Sequence, residues 1–501
     1  MGVVTPQPSD RPLYWPSIVE QLQAIFPDEE LYLVGGVVRD VYRRSAVHDI
    51  DLASPKDGQP IARHIANALQ GDYYPLDSTR GVGRAIVEWE DTTFTIDVAQ
   101  FRGNSLYDDL LDRDFTVNAL ATPLQQLEFI IDPTNGLDDL KQKVIRLCNP
   151  HAISDDPLRM LRAVRLSLSH QLRLLDDTKA AIRANLSKLS QVSAERIRDE
   201  FFKLLDGPRP HAAITILSTL GILESILPET STLKGVEQSP PHVYDVWRHT
   251  LGVVENMGHI LSIFSPQRND DIVANFGLGM FKFAIHDLHS QITEHLNNIQ
   301  WPNGRSHRAL LIFAALAHDI GKPATQTVDE KGVFHFYQHE VVGAEIVEKW
   351  AQRLALSNDE TERLVQIVLH HLRPAQLARA ERISTRAKYR YWRVLGATGV
   401  DVCLHAIADQ LGKYGPTLEQ SFWLHFLENL SELLAVYFKE PETMINIKPL
   451  LNGHELMETF GLDAGPKIGQ LLEAMKEAQA LGEINNREDA IMWVKQVLNE
   501  Y

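Results

Sequence analysis

The chain has 501 residues, with 49 Lys+Arg against 66 Asp+Glu and a formal net charge of −17. That length asks for about two to four domains, and that charge excludes a generally basic nucleic-acid coat while leaving room for a local basic stripe. The two cysteines, Cys148 and Cys403, exclude a disulfide scaffold and any CxxC zinc site.

In chain order, the proline-rich residues 1–16 are expected to be an irregular tail. They show no basic segment followed by an apolar one, so no signal peptide is expected. Residues 17–150 read as mixed α/β. LYLVGG (31–36) is a predicted buried strand ending in a glycine pair, and VVRDVYRR (37–44) a short helix. HDIDLA (48–53), AIVEWE (85–90), FTIDVAQ (94–100) and LEFIID (127–132) are predicted strands. Helical periodicity then takes over at 155–170, 177–188, 194–206 and 210–226, which makes 151–235 a helical neck. QSPPHVYDVW (238–247) marks a boundary. Residues 240–412 are helical and rich in histidine, with an insertion at about 265–306, and residues 413–501 are helical, with a turn inside NIKPLLNGHELMETFG (446–461). The longest strongly apolar run, Ala309–Ala317, is about half a membrane span, so a soluble cytoplasmic protein with no membrane partner is expected.

Asp49 and Asp51 are two apart on a predicted strand and so point to one face. Paired hard carboxylates suit Mg²⁺, and Asp97 on another strand could complete the group. Gly35 and Gly36 end a strand just before a helix, where backbone N–H groups can approach a phosphate. The combination suggests phosphoryl or nucleotidyl transfer with two metals.

LVGGVVRDVYRRSAVHDIDL resembles the opening motif of the bacterial-type (class II) tRNA nucleotidyltransferases and their poly(A) polymerase relatives. DRDFTVNALA (112–121) is similar to that family's RRDFTxNA motif, and DPTNGLDDLKQKVIRL (132–147) to DxxxGxxDL. DDPLRMLRAVRL (155–166) is similar to EDxxR, and SAERIRDEF (193–201) to ERIxxE. The resemblance implies an α+β nucleotidyltransferase head, a small mixed sheet with helices, followed by an all-α neck, an HD domain and a helical C-terminal region. It implies Asp49, Asp51 and Asp97 as catalytic carboxylates holding Mg²⁺. Gly35, Gly36, Arg39, Arg113, Asp114, Asn118, Asp156, Arg159 and Arg162 become the implied nucleotide-binding residues. Two positions depart from the pattern: Asp112 stands where the family has the first Arg of RRD, and Asp155 replaces the Glu of EDxxR.

Asp156 and Arg159 are three apart at the start of a predicted helix, with Ser154 as its expected N-cap and Pro157 in its first turn. Cytosine and adenine share an amino donor beside a ring-nitrogen acceptor. A carboxylate accepts from the first and a guanidinium donates to the second, whereas uracil and guanine would set two acceptors face to face. An intrahelical ion pair is the ordinary alternative at this spacing. Arg159, Arg162 and Arg165 recur every three residues, a basic stripe for RNA phosphates or an incoming triphosphate.

His249, His318–Asp319 and Asp409 follow in an H…HD…D order on predicted helices. LIFAALAHDIGKP resembles the HD-domain metal-phosphohydrolase motif, and HVYDVWRHTLGVV its first-His helix. The resemblance implies a divalent metal on these four residues; imidazole with carboxylate suits Mn²⁺, Fe²⁺, Ni²⁺, Co²⁺ or Zn²⁺. Asp401 competes with Asp409 for the last place, and His339, His370 and His371 are candidates for a second metal or for phosphate contact. Taken together, the resemblance implies an enzyme that adds nucleotides of the 3′-terminal CCA to tRNA from CTP and ATP, with an HD phosphohydrolase appended. The alternatives are a poly(A) polymerase, a CC-only or A-only enzyme, and a regulatory RNA- or nucleotide-binding protein with HD hydrolase activity.

Overall fold

A computed structural model describes residues 5–265 and 276–499; the first four residues of the expected tail and positions 266–275 of the expected insertion lie outside them. The chain forms two compact units. One holds the residues up to Ser193 together with Thr219–Ser225, and the other holds Ala194–Ser218 with Ile226 onward.

In the first unit the elements run β1 (Gln7–Pro8), α1 (Ile18–Ile25), β2 (Tyr32–Val34), α2 (Gly36–Arg43), β3 (Asp49–Ser54), α3 (Gly58–Ala68), β4 (Asp72–Asp77), β5 (Val82–Trp89) and β6 (Thr92–Gln100). They continue through α4 (Leu106–Leu111), β7 (Ala121–Pro123), β8 (Phe129–Ile130), α5 (Gly136–Lys141), β9 (Val144–Ile145), α6 (Ala152–Asp155), α7 (Arg159–His170), β10 (Arg173–Leu174) and α8 (Asp176–Ala184). Six strands form one sheet in the order β4-β5-β6-β3-β2-β7. Only β3–β6 is parallel within it. On β3, Ile50 and Leu52 are buried while Asp49 and Asp51 take the alternate positions. Helix α3 covers β5 and β6 with Ile61, Ala62 and Ile65.

Several expectations need correction here. The stretch 5–16 is irregular apart from a two-residue strand, but it is anchored along its length. Its β1 pairs with β8, Trp15 donates its indole N–H to the Leu127 carbonyl at 3.0 Å, and Asp10 takes Lys141 at 2.9 Å. Prolines do not prevent a short edge strand, which needs few ladder hydrogen bonds. The helix read at 155–170 is two helices, because Pro157 disfavours helical backbone at the residue before it and Asp156 sits at φ −137°, ψ 97°. Ser154 is therefore not an N-cap: it lies inside α6 and donates its hydroxyl to the His151 carbonyl at 2.8 Å. Asp156 and Arg159 likewise do not share a helix face, since Asp156 precedes α7. The strand read at 127–132 is only the two residues of β8.

The second unit begins with α9 (Ala194–Leu205) and most of α10 (Pro210–Leu220); Gly221, with φ +83°, ends the helix read at 210–226, and α11 (Ile222–Ile226) beyond it belongs, but for its last residue, to the first unit. Then come α12 (Val246–Ile263), α13 (Phe276–Ala284), α14 (His289–Asn298), α15 (His307–Ala317), α16 (Lys322–Thr325), the hairpin β11 (Gln326–Val328) and β12 (Phe334–Phe336), α17 (His339–Arg353), α18 (Asn358–His370) and α19 (Arg373–Leu377). The chain closes with α20 (Thr385–Leu395), α21 (Thr398–Tyr414), α22 (Gln420–Lys439), α23 (Pro441–Met444), α24 (Gly453–Phe460), α25 (Pro466–Ala480) and α26 (Arg487–Asn499). Helix α15 is apolar on every side from Ala309 to Ala317 and is the buried axis on which α9, α12, α18 and α21 pack. Arg305, just before it, forms a two-pronged pair with buried Glu360, both contacts at 2.7 Å, and reaches Asp199 of α9 at 3.3 Å. The turn in 446–461 ends at Asn452, which starts α24 in a capping box with Glu455. The last three helices enclose a small core of their own around Leu451, Leu456 and Met475. Their acidic face meets α20, where Arg390 pairs with Glu477 and Arg393 with Glu473, each at 2.8 Å. Among the described residues no helix is long and apolar enough to cross a membrane.

Candidate functional sites

The parallel β3–β6 register sets Asp51 directly beside Asp97, and the antiparallel β5–β6 register sets Arg84 on the other side of Asp97. Asp49 shares the face with Asp51 and is exposed. Arg84 grips both oxygens of Asp97, at 2.7 and 2.8 Å. Burial pushes the Asp51 carboxyl up to about 6, with the charges of Asp97 and Asp49 adding to the rise and Arg113 and Arg162 opposing it. A carboxylate held back from ionising beside two others is stabilised by a hard cation, so the donor set fits Mg²⁺.

Around this face the family-motif residues form one network. Gly35 caps α2 at φ +76°, and a Cβ there would lie 2.6 Å from Nη1 of Arg113. Arg113 is aimed at Gly35 by Asp109, which takes its Nε and Nη2 at 3.1 and 3.0 Å. Gly36 opens the helix with Arg39 over it. Arg39 donates to the side-chain oxygen of Asn118, and Asn118 donates to Asp114 at 3.0 Å. Arg162 takes the other oxygen of Asp114 at 2.8–2.9 Å. Gly35, Gly36, Arg39, Arg113, Asp114, Asn118 and Arg162 are thus brought together with the carboxylates.

Arg159 stands differently. It is buried, and its guanidinium donates to the backbone carbonyls of Asp112 at 2.7 Å, Ala152 at 3.2 Å and Arg113 at 3.4 Å. It braces the Asp112–Arg113 segment instead of heading a solvated basic stripe. Asp156 accepts from the Leu158 amide at 3.2 Å and so shapes the entry to α7.

In the second unit, the apolar helix α15 delivers His318 and Asp319 to its buried end. His249 of α12 lies 3.2 Å from His318 between the two Nε2 atoms, 3.3 Å from Asp319 and 3.1 Å from Asp409 of α21. Asp319 shares its two oxygens: Oδ2 faces His249 and His318, while Oδ1 lies 3.3 Å from His339 and 3.8 Å from His371. His339 and His371 again face each other through Nε2, at 3.3 Å. In His318, His339 and His371 the other nitrogen, Nδ1, bonds the backbone carbonyls of Ala315, Phe336 and Val368. A carbonyl can only accept, so Nδ1 carries a proton, and in the neutral ring each Nε2 turns a lone pair inward. Lone pairs converging on a shared carboxylate fit divalent ions. Burial opposes charge on Asp319 and Asp409, but the surrounding histidines, with Lys322 beside Asp319, hold both well below the usual carboxylate range.

Of the residues left open in the sequence, Asp409 joins this cluster and Asp401 does not; Asp401 binds His295, His307 and Arg363. His339 and His371 join it, and His370 does not. Sequence reasoning missed four neighbours. Arg84 becomes visible only once β5–β6 register is known. Lys322, 2.6 Å from Asp319, is three residues beyond it on the IGK stretch. His242 packs edge-on against His249. His405, whose two ring nitrogens are buried without partners, lies one helical turn before Asp409, a spacing the sequence does show.

Residues 31–146 match the poly A polymerase head domain, 172–233 the RNA and SrmB-binding site of polymerase A, 285–393 the HD domain and 433–494 the tRNA nucleotidyltransferase domain 2. The HD match leaves out His249 and Asp409, which the fold returns to it. Over 476 residues the chain is 31% identical to the A-adding tRNA nucleotidyltransferase of Deinococcus radiodurans, covering 93% of this chain and 95% of that one. The CC-adding tRNA nucleotidyltransferase of Thermus thermophilus is 28% identical, covering 93% of each. A CCA-adding enzyme solved with ATP has the same fold, with a TM-score of 0.60 at 18% identity over 96% of this chain and 95% of that one. With its four segments matched in order and a relative alike over nearly its whole length, the chain belongs to the tRNA nucleotidyltransferase and poly(A) polymerase family.

Proposed function

We propose that this protein transfers nucleotides of the 3′-terminal CCA, from CTP and ATP, onto the 3′ end of tRNA, and that it adds only one part of that sequence. The parallel pairing of Asp51 with Asp97, with Asp49 on the same face, carries the transfer reading. The division of labour rests on whole-length relatives, one named for adding A and others for adding CC.

Asp49, Asp51 and Asp97 would hold Mg²⁺, which when bound activates the tRNA 3′-hydroxyl and neutralises the departing pyrophosphate. Arg84 holds both oxygens of Asp97, so a metal there would share that carboxylate with the guanidinium, and Arg113, free of a Cβ at Gly35, would be placed for a phosphate. Asp156 would accept from the amino group of C or A. Arg159 would donate to the ring nitrogen only by leaving its three carbonyls, so base entry and release of the Asp112–Arg113 segment would be one event. Asp156→Ala or Arg159→Ala should then relax discrimination against UTP and GTP.

For the HD cluster, His249, His318, Asp319 and Asp409 would hold one divalent ion and Asp319, His339 and His371 a second. Such ions supply a water activated for phosphoester hydrolysis. Lys322 balances part of the Asp319 charge and also donates to Gln238, each at 2.6 Å.

The deciding experiment offers tRNA lacking CCA, or ending in C or CC, with each labelled nucleotide in turn. A single A on the CC-ended substrate, or CC on the bare one, supports the reading. Completion of CCA overturns its partial form, runs of A point to a poly(A) polymerase, and no product removes it altogether.

A further inference from the structure

The insertion supplies a second buried convergence outside the HD cluster. His295 of α14 and His307 of α15 direct their Nε2 atoms at one oxygen of Asp401 on α21, at 2.9 and 3.0 Å. His307 and Asp401 are fully enclosed and the His295 side chain is 7% exposed. All three ligand atoms lie within 4.8 Å of one another. An ion bound at about 2.0–2.2 Å to such donors spaces them by roughly 3.3 Å, so each His–Asp separation need widen by only a few tenths of an ångström. The carboxylate is oriented from behind: Arg363 takes its other oxygen at 2.6 Å and is itself fixed by Thr398 at 2.8 Å. Among the described residues, a cavity of about 720 Å³ lined by His307, Ser306, Asn297 and Asp206 meets the group at His307.

We propose that His295, His307 and Asp401 form a divalent transition-metal site of their own, which staples the inserted helix α14 to α15 and α21. Two imidazoles and one carboxylate suit Zn²⁺, Co²⁺ or Fe²⁺. Because Arg363 already balances Asp401, the site is less negative than the HD cluster and fills after it.

The test uses the full-length protein with Zn²⁺ or Co²⁺ as the probe. In a His249→Ala/His318→Ala/His339→Ala/His371→Ala background, which removes all four HD imidazoles named above, one equivalent of metal should remain after dialysis. Adding His295→Gln should remove it. Adding His295→Cys instead should keep it and give a thiolate-to-cobalt charge-transfer band, a signature that a hydrogen-bonding role cannot produce. No metal in the background protein, equal metal with and without His295→Gln, or a missing charge-transfer band in a folded His295→Cys protein would each overturn the site and leave a hydrogen-bonded His–Asp–Arg group. Folding is followed by circular dichroism, and should both position-295 variants unfold, the background protein alone decides by its metal content.

Discussion

The carboxylate face of the first unit and the HD cluster of the second present their candidate metal donors in opposite ways. In the first unit, carboxylates stand on an open sheet face, with Asp49 exposed and arginines close by. In the second, imidazoles and carboxylates are enclosed, and backbone carbonyls fix three tautomers in advance. Hard oxygen donors on an open face suit an ion that arrives and leaves with a triphosphate. Nitrogen donors set in the interior suit an ion that stays. On the proposed reading the first site would be completed by its substrate and the second by its own packing.

The sharpest way to break that contrast is Asp51→Asn. It should lower nucleotide addition on the order of 10³-fold, since metal-held charge stabilisation supplies several kcal/mol. Hydrolysis at the HD cluster should be unchanged, and a loss of less than tenfold in addition would remove Asp51 from the site. Next in size is Arg305→Ala, which leaves Glu360 buried without its partner. It should destabilise the second unit by about 3–5 kcal/mol while sparing the first, read as one shifted transition out of two in calorimetry; a single transition moving as a whole would show the units to be coupled. Metal removal separates the centres by recovery. After dialysis against a chelator, addition should return at once with Mg²⁺ alone, whereas cyclic-nucleotide hydrolysis should need incubation with a transition metal. Recovery of both with Mg²⁺ would erase the distinction. The smallest effect concerns acid. The Arg353 hydrogen bond draws Glu229 down from 4.5 to about 2. A depressed folded value stabilises above the unfolded one, so this contribution is complete above about 4.5 and is lost as pH falls towards 2. The pair is partly exposed, so Glu229→Gln should remove no more than about 1 kcal/mol of acid sensitivity, measured by denaturant midpoints between pH 5 and 3.

What could be read in advance follows the range of the forces involved. The period-two alternation of β3 and the all-apolar face of α15 are local, and both exposed their functional ends in the sequence. The break at Asp156 was also local, since Pro157 stood beside it, yet the helical spacing of Arg159, Arg162 and Arg165 masked it. Partnerships over long separations were illegible: Arg84 with Asp97 depends on strand register, and Arg159 with the Asp112 carbonyl depends on where α7 packs. Asp401 and Asp409 are two turns apart on one helix, and only the neighbours α12 and α14 decide which carboxylate meets which histidines.

The β3–β6 pairing also bears on how the protein is made. Antiparallel neighbours can close through a short turn, but a parallel pair needs a crossover, here α3, β4 and β5. Such non-local contacts close slowly, after the loop entropy has been met. A nascent chain that has just exposed Asp49 and Asp51 therefore carries the motif without a working centre. The proposed centre is assembled only once β6 has been synthesised and docked and α7 has brought Arg162 to Asp114, so fragments ending before α7 are expected to lack transferase activity.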